Sequence, residues 1–446
     1  MRQFTFLIFT LFLVFAPVKA QQRDSLKAQL TNRYMHTYNA PGLKNFQLGV
    51  SHGHVFYGRK LNDWLNIGAQ VNGLIHYGID NISEPDAITG SGPIYEGNLW
   101  VRKNMTGRTH FGLTQIYLQA SLGGHSITVG QFLKNTPLIN IEPWPFPNAM
   151  EGVWYEQKGR GKWSFQLGFI NRIAPRQSGR FANIGRTLGE AGTGRDVFGQ
   201  SSQYAGQVNS DFILVGNAHY AMDKNWSFDT WNYFADNLFN VFLLEPKWQS
   251  DEKGWRVMTK FIYQQKVGEG GNENPLFTYM EDGDFANAYY LGLRIEKKLG
   301  EGLLQFNLSR IADQGRLLLP KEWGLEPFYA FQRRTRVEGA ADVFGFMIKY
   351  QHIWEDDRGK LRIFASAGRT DMPTPFDAAR NKFGTPSFSH WDFSPRYDFK
   401  QGLFKNMSFE LYTALRFLAD DIQGNKSFQI NRNNIFHIDA ILSWRL

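Results

Sequence analysis

The residues in this sequence that can do chemistry are arginines and lysines placed opposite runs of Leu, Phe, Trp and Ile in segments of alternating polarity. Side chains alternate across a β-strand, so this pattern gathers the cations on one wet face. A guanidinium on such a face binds a carboxylate through two parallel hydrogen bonds. We expect these cations to line a passage, and solvated wall positions near a rim are the alternative. The strand cations on the polar parity are Arg172, Arg256, Lys260, Arg294, Arg362, Arg416 and Arg445.

A second group of arginines lies in segment 173–209, where the alternation stops and glycine is frequent. Structureless loops longer than ~15 residues in a compact domain are usually functional or disordered. We predict that this segment folds inward and narrows the passage, with its arginines facing Glu190 and Asp196; an ordinary external loop is the alternative. The loop arginines are Arg176, Arg180, Arg186 and Arg195.

Other residue patterns do not predict catalysis or metal binding. His52 and His54 share a strand face, but a third metal ligand is not apparent. The acidic run 281–284 lacks the spacing of a calcium loop, and the glycines at 268–271 lack the Lys-Ser/Thr of a phosphate loop. We therefore expect no enzyme activity, no cofactor and no metal. The alternative is a barrel hydrolase whose catalytic residues lie on the strands, although the sequence shows no residue spacing typical of one.

The amino terminus predicts export. Arg2 precedes an apolar run from Phe4 to Phe15, and Ala20 ends a small-residue cleavage site. The run is shorter than the ~20 apolar residues that span a bilayer, which disfavours the alternative of a membrane anchor. We expect residues 1–20 to be a signal peptide cleaved after Ala20, and residues 21–446 to form a single domain.

The composition suits an exported chain that lies in a membrane as strands. Aromatic residues make up 15%, glycines number 44, cysteine is absent, and the mean hydropathy is −0.39. Disulfides therefore contribute nothing to stability. An oily outer band around a polar lumen reconciles many aromatics with a polar average. A soluble exported sandwich or propeller is the alternative.

The order of segments favours a closed barrel. Short turns such as Gly123-Gly124 alternate with long loops such as 173–209 and 313–336, as in outer-membrane barrels with short periplasmic turns and long extracellular loops. About eighteen segments (16–18) of roughly 9–11 residues match the length that crosses a bilayer. We predict an all-β fold, a transmembrane antiparallel β-barrel of about 18 strands.

The last segment, 434–446, shows the alternation most clearly. We expect its partner to be the first strand, within 30–38 or 46–57, because strands in lipid leave no edge unpaired. Residues 21–27 read as a polar lead before that strand. The terminal oily strand also resembles the signal read by barrel-assembly machinery. The residues expected to face lipid are Phe436, Ile438, Ala440, Leu442 and Trp444, and those expected to face water are His437, Asp439 and Arg445.

Several strings resemble the OprD family of outer-membrane porins, in a divergent form such as those of Bacteroidetes-type bacteria. The string Val-Gly-Gln-Phe at 129–132 leads into a proline-rich stretch that ends in Pro-Asn-Ala-Met-Glu-Gly-Val at 147–153. Asn-Arg-Ile at 171–173 and Arg-Phe at 180–181 resemble the start of the family's constriction region, and 337–340 resembles a late segment.

The resemblance implies an eighteen-stranded monomeric barrel, an inward loop, a basic ladder and uptake of small solutes that often carry a carboxylate. Only Arg172 lies in a stretch similar to the family's, so its pore role is implied by the resemblance. The chain departs from the family by ending in Leu446 rather than an aromatic residue.

The function expected from these features is that of a porin in the bacterial outer membrane, passing small hydrophilic, anionic or carboxylate-bearing solutes. The alternatives are a barrel that assembles or exports surface polysaccharide, or a barrel hydrolase. The expected partners are outer-membrane lipid, the solutes and the assembly machinery, with no nucleic acid. The expected state is a monomer or a weak homo-oligomer.

Overall fold

The computed structural model describes residues 24–100, 107–159, 161–250 and 254–446. The predicted signal peptide, 1–20, lies outside these ranges. Within these ranges, nineteen strands alternate with turns and loops, and the helices are single turns such as Glu96–Leu99 and Ile184–Thr187. No helix of the described residues is long and apolar enough to cross a membrane.

The strands are β1 (Asp24–Tyr38), β2 (Phe46–Lys60), β3 (Leu65–Asp80), β4 (Thr109–Leu122), β5 (His125–Phe132), β6 (Ala149–Lys158), β7 (Trp163–Ala174), β8 (Ala182–Asn183), β9 (Ile213–Ala221), β10 (Trp226–Ala235), β11 (Phe239–Gln249), β12 (Trp255–Lys266), β13 (Asn287–Leu299), β14 (Gly302–Ile311), β15 (Val343–Glu355), β16 (Gly359–Asp371), β17 (Phe388–Phe399), β18 (Met407–Leu418) and β19 (Ile435–Arg445).

Each wall strand pairs antiparallel with its two neighbours. The short β8 pairs only with β7, which also pairs with β9, so eighteen strands form the wall. The wall closes because β1 pairs with both β2 and β19. The predicted barrel of about 18 strands is confirmed.

The closing pair, β1 and β19, forms the seam of the barrel. Its register runs from Gln29 opposite Arg445 to Tyr38 opposite Phe436, which confirms the first of the two predicted partner ranges. The first strand begins earlier than expected, since Asp24 pairs with Arg59 of β2. The expectation of a polar lead at 21–27 was therefore wrong from residue 24 onward, because backbone pairing outweighs the polar composition.

Turn lengths differ sharply between the two ends of the barrel. At one end the strands are joined by turns such as 123–124, 300–301 and 356–358, and at the other by loops such as 175–212 and 312–342. This confirms the predicted asymmetry.

The outer face of the wall is apolar along most strands. On β7 the outward side chains are exposed and include two aromatic rings that stack at 5.8 Å. On β19 the predicted lipid-facing Phe436 and Leu442 are 37% and 36% exposed, whereas His437 and Asp439 point inward. The outward residues of β7 are Trp163, Phe165, Leu167 and Phe169.

The lumen holds the apolar core of the protein. The largest buried cluster joins Ile184 and Leu188 of loop 175–212 to Leu317 and Trp323 of loop 312–342, together with wall residues such as Tyr233. Burying one such side chain contributes roughly 1.5–3 kcal/mol. Long loops therefore fold into one side of the barrel and are held there by hydrophobic contacts.

Candidate functional site

A cavity of about 850 Å³ lies among the long loops, and we call it the basin. Its lining comes mainly from the loops 81–108, 133–148, 175–212 and 312–342, with contributions from two later loops and β18. Cations outnumber carboxylates around it, which makes its field favourable to anions. Its basic residues are Arg176, Arg195, Lys321, Arg334, Arg336, Lys382, Arg416 and Arg432, and its acidic residues are Glu142, Glu190 and Glu338.

Next to the basin, a buried carboxylate joins the seam to an inward loop. Asp439 of β19 accepts hydrogen bonds from Nε and Nη2 of Arg33 on β1, at 2.8 and 2.6 Å. Arg334 of loop 312–342 donates to the same carboxylate. Asp439 is 1% exposed, so the expectation that it faces water is wrong, because the loop covers it.

Trp144 of loop 133–148 lies against both of these arginines. The guanidinium carbons of Arg33 and Arg334 are 4.7 and 5.1 Å from its ring centroid. Cations over a Trp ring are attracted by its quadrupole, and Arg33 also donates to the Pro143 carbonyl at 3.0 Å. We call the group Arg33, Trp144, Arg334 and Asp439 the constriction.

A second buried carboxylate, Glu142, ties three loops together. Arg176 of loop 175–212 approaches it at 3.1 Å and Arg336 of loop 312–342 at 3.5 Å. Trp144 Nε1 donates to its other oxygen at 2.8 Å. Burial alone would raise the pKa of Glu142, but the two guanidiniums hold that pKa below its ordinary value.

Loop 81–108 is anchored near the seam by Glu96 of its single helical turn. The Thr37 hydroxyl of β1 donates to Glu96 Oε1 at 2.5 Å, and His437 Nδ1 lies 2.8 Å from the same hydroxyl. Glu96 is fully buried. Burial raises the pKa of Glu96 to about 7, although the bond from Thr37 opposes that shift.

Three of the predicted site residues line the basin, namely Arg176, Arg195 and Arg416. Of the two acidic residues expected to face the loop arginines, Glu190 lines the basin together with Arg176 and Arg195, whereas Asp196 does not. Arg176 pairs with Glu142 of a different loop, and Asp196 instead accepts from the backbone N–H groups of Phe198 and Gln200. Pairing between distant loops is invisible to local spacing.

Apart from Arg172, the predicted wall cations point inward, but they do not form a uniformly basic stripe. Arg256 pairs with Glu296 at 3.1 Å, and Lys260 with Glu245 at 2.8 Å. Arg362 pairs with Asp398 in the same way, while Arg294 donates to the Asn307 amide oxygen at 2.6 Å. The wall carries alternating charges, because carboxylates of neighbouring strands share its inner face.

Arg172 occupies the outer side of the wall near the long-loop rim. A bulge between Glu151 and Gly152 shifts the register, so Arg172 lies opposite Glu151, which itself lies opposite Gln131. The same register puts Gln131 opposite Ile116, an exposed residue on the apolar outer face. Parity placed Arg172 in the lumen, and the bulge reverses that placement.

The remaining predicted loop arginines, Arg180 and Arg186, are exposed and do not line the basin. The sequence analysis missed the cations of loop 312–342, although Arg333-Arg334-Thr335-Arg336 is a conspicuous basic run that could have pointed to them. The basin and constriction residues that were not predicted are Arg33, Trp144, Lys321, Arg334, Arg336, Lys382 and Arg432.

Neither a protein-family model nor a curated protein matches this sequence at a significant level. Solved structures do match. Acinetobacter baumannii OccAB2 aligns with a TM-score of 0.70 at 12% identity, covering 95% of this chain and 98% of that one. OccAB3 from the same organism gives 0.70 at 9% identity, covering 95% and 99%.

A third structure, Pseudomonas aeruginosa OpdK with vanillate, gives a TM-score of 0.67 at 10% identity, covering 95% of this chain and 98% of that one. These neighbours are OprD-family outer-membrane porins. The resemblance expected from the sequence is thereby confirmed at the level of architecture, and the chain has the eighteen-stranded barrel fold of the OprD-family porins.

Proposed function

We propose that this protein is an outer-membrane porin that lets small anionic solutes diffuse selectively through the barrel. The observation that carries the proposal is the cationic basin, beside which Arg33 and Arg334 share the carboxylate of Asp439. A pore lined by arginine and lysine favours anions. OpdK, which shares the fold, was crystallised with vanillate, a carboxylate, and this supports solutes of that class.

The route begins at the basin and passes the constriction along the seam. The Asp439 carboxylate neutralises only one of the two guanidiniums that hold it, so a solute carboxylate would meet a net positive site. Loop 175–212 lines the basin through Arg176 and Arg195, which supports a narrowing role for the predicted segment 173–209. We place the narrowest point of the proposed route at loop 133–148, which supplies Trp144, rather than at loop 175–212.

The proposal includes export and membrane insertion. Residues 1–20 would direct the chain across the inner membrane and be removed after Ala20, leaving one barrel domain over 21–446. Outer-membrane lipid would surround the apolar outer face, and the terminal strand β19 would be read by barrel-assembly machinery. The barrel would work as a monomer or a weak homo-oligomer. Catalysis is not part of the proposal, since the fold neighbours are porins.

Planar-bilayer recording of the purified protein tests the proposal. We expect discrete channels whose reversal potential in a KCl gradient shows preference for chloride over potassium. Arg334→Gln should reduce that preference, because it removes one cation from the constriction. The matched control is Arg172→Gln, which removes a cation from the outer rim and should leave selectivity unchanged. Absence of channels, or equal selectivity in wild type and Arg334→Gln, would contradict the proposal.

A further inference from the structure

Three arginines of the basin converge from separate elements. Arg195 belongs to loop 175–212, Arg416 to β18, and Arg432 to loop 419–434, and all three line the same cavity. None of the ion pairs found among the described residues involves any of them. Their guanidiniums are therefore candidates to receive a ligand from outside the protein.

Backbone carbonyls, which carry no net charge, hold these guanidiniums in place. Arg195 Nη2 donates to the carbonyls of Pro375 and Asn381 at 2.7 and 2.8 Å. Arg432 Nη1 donates to the Gly384 carbonyl at 2.9 Å. Arg416 Nη2 donates to the carbonyl of Arg334. The positions are fixed while the positive charges stay uncancelled, which is how a preorganised anion site is built.

Arg195 and Arg432 come close to each other at Gly384. Arg432 bonds the carbonyl of this glycine, and Arg195 Nη2 is 3.2 Å from the point where a Cβ on it would lie. Burial lowers the pKa of Arg432 to about 10; Tyr95 opposes this shift, and the nearby Arg195 and Arg416 contribute to it. Like charges packed together are unfavourable until an anion joins them.

Arg416 provides a donor that lacks a partner. It is 3% exposed, and its Nε atom makes no hydrogen bond in the part of the chain that the structure describes. A buried N–H of this kind is normally satisfied by protein, water or ligand. Few carboxylates lie near the three arginines. Asp377 acts on Arg195, and Glu190 lines the basin with contacts of its own.

We propose that Arg195, Arg416 and Arg432 form a binding site for a compact oxyanion that carries two or more negative charges. Three guanidiniums on neutral supports match such a ligand better than a single carboxylate, because several oxygens each need a charge-assisted hydrogen bond. The inference rests on the proposed porin function and sharpens it, since the site would collect multiply charged solutes at the mouth of the passage.

Titration calorimetry of the detergent-solubilised full barrel tests the site directly. Pyrophosphate and citrate are the polyvalent probes, one a phosphate and the other a carboxylate, and acetate is the monovalent comparison. We expect one pyrophosphate or citrate per barrel, bound at least tenfold more tightly than acetate. Binding of only one of the two polyvalent probes would show which oxyanion chemistry the site prefers.

Variants decide whether the three arginines are responsible. Arg432→Gln and Arg195→Gln should each weaken polyvalent binding at least tenfold, and Arg432→Lys should retain much of it, which guards against misfolding as the cause. Arg256→Gln is the matched control, since Arg256 is inward but paired with Glu296 on the wall. Unchanged affinity in Arg432→Gln, or acetate binding as tightly as pyrophosphate, would overturn the site.

Different results would contradict the porin function and the three-arginine site. Anion-selective channels without polyvalent binding would leave the porin function standing and remove the three-arginine site. Polyvalent binding by a barrel that forms no channel would keep the site and remove the porin function.

Discussion

Two carboxylates, Asp439 and Glu142, organise the cations of the lumen. Each is almost fully buried, and each is held by two arginines from different elements. Removing one partner of a buried ion pair costs about 3–5 kcal/mol, because it leaves the other charge uncompensated. At Asp439, two arginines to one carboxylate leave a net positive charge. At Glu142, Arg336 is shared with Glu326, so the charges there balance.

Glu96 makes the anchoring of loop 81–108 depend on pH. Its pKa is raised by burial to about 7 in the folded protein, against about 4.3 in an unfolded chain. The folded state thus binds the extra proton, so this stabilisation is complete below about pH 4.3 and is lost as pH rises through about 7. We expect the melting temperature of the barrel to fall between pH 5 and pH 8 in part for this reason.

The variant Glu96→Gln isolates that contribution, which amounts to at most about 4 kcal/mol. Because glutamine cannot ionise, the variant should lose much less stability than wild type between pH 5 and pH 8 in thermal melts followed by circular dichroism. Glu301→Gln, in an exposed turn at the opposite end, serves as the control and should behave like wild type. Parallel pH profiles for wild type and Glu96→Gln would refute this role of the carboxylate.

At the residue scale, sequence reasoning worked where strands stay regular and failed where they do not. His437 and Asp439 were placed on the inner face because β19 has no bulge to interrupt its alternation. Arg172 was placed on the wrong face because one bulge beside Glu151 reverses every side chain beyond it. Arg176 lies 34 residues from its partner Glu142, and Arg334 lies 105 residues from its partner Asp439. Local spacing therefore holds no information about either pair.

At the scale of elements, loop 133–148 has a larger role than its length suggests. Its prolines at positions 137, 143, 145 and 147 are unfavourable in an interior strand, and the structure has a loop there. The prolines did not indicate that the loop folds into the lumen. The side chain of Trp144, between two guanidiniums, directs the loop into the lumen, and those partners come from β1 and loop 312–342.

Replacing the Trp144 ring should open the constriction. We expect Trp144→Ala to raise single-channel conductance, since it removes a large ring that lies against Arg33 and Arg334. A buried Trp→Ala change also costs about 3–5 kcal/mol, so a lower melting temperature should accompany it. Trp226→Ala, at an exposed ring of the outer face, is the control and should leave conductance unaltered. Unchanged conductance in Trp144→Ala would place the narrowest point elsewhere.

At the scale of the whole molecule, the barrel is defined by its seam. The closed architecture could be predicted from the alternating pattern of the last segment, the turn asymmetry and the strand count. In lipid, the backbone groups of an open sheet edge would have no hydrogen-bond partners, so the first and last strands must pair. The sequence was less informative about the first strand, because the polar residues Asn32 and His36 interrupt the apolar outer face of β1. The packing of the loops in the lumen could not be predicted from the sequence, because it depends on the shapes of the packed side chains rather than on periodicity.

Engineered cysteines can verify the seam, because the chain has none of its own. Thr31 and Ser443 are register partners whose hydroxyl oxygens are 3.0 Å apart, a spacing compatible with a disulfide. We expect the double variant Thr31→Cys/Ser443→Cys to form that bond on oxidation, measured as loss of free thiols. The mismatched pair Thr31→Cys/His437→Cys should not, because His437 lies opposite Thr37. Equal cross-linking in both pairs would disprove the register.

The seam also links biosynthesis to permeability. Arg33 lies on the strand made first and Asp439 on the strand made last, and the two meet only when the ends of the chain join. A nascent barrel cannot assemble its charged filter before its final strand has docked. In the proposed porin, an unclosed barrel would therefore not form an unselective channel, because the Arg33–Asp439 contact that completes the barrel is also the one that sets its selectivity.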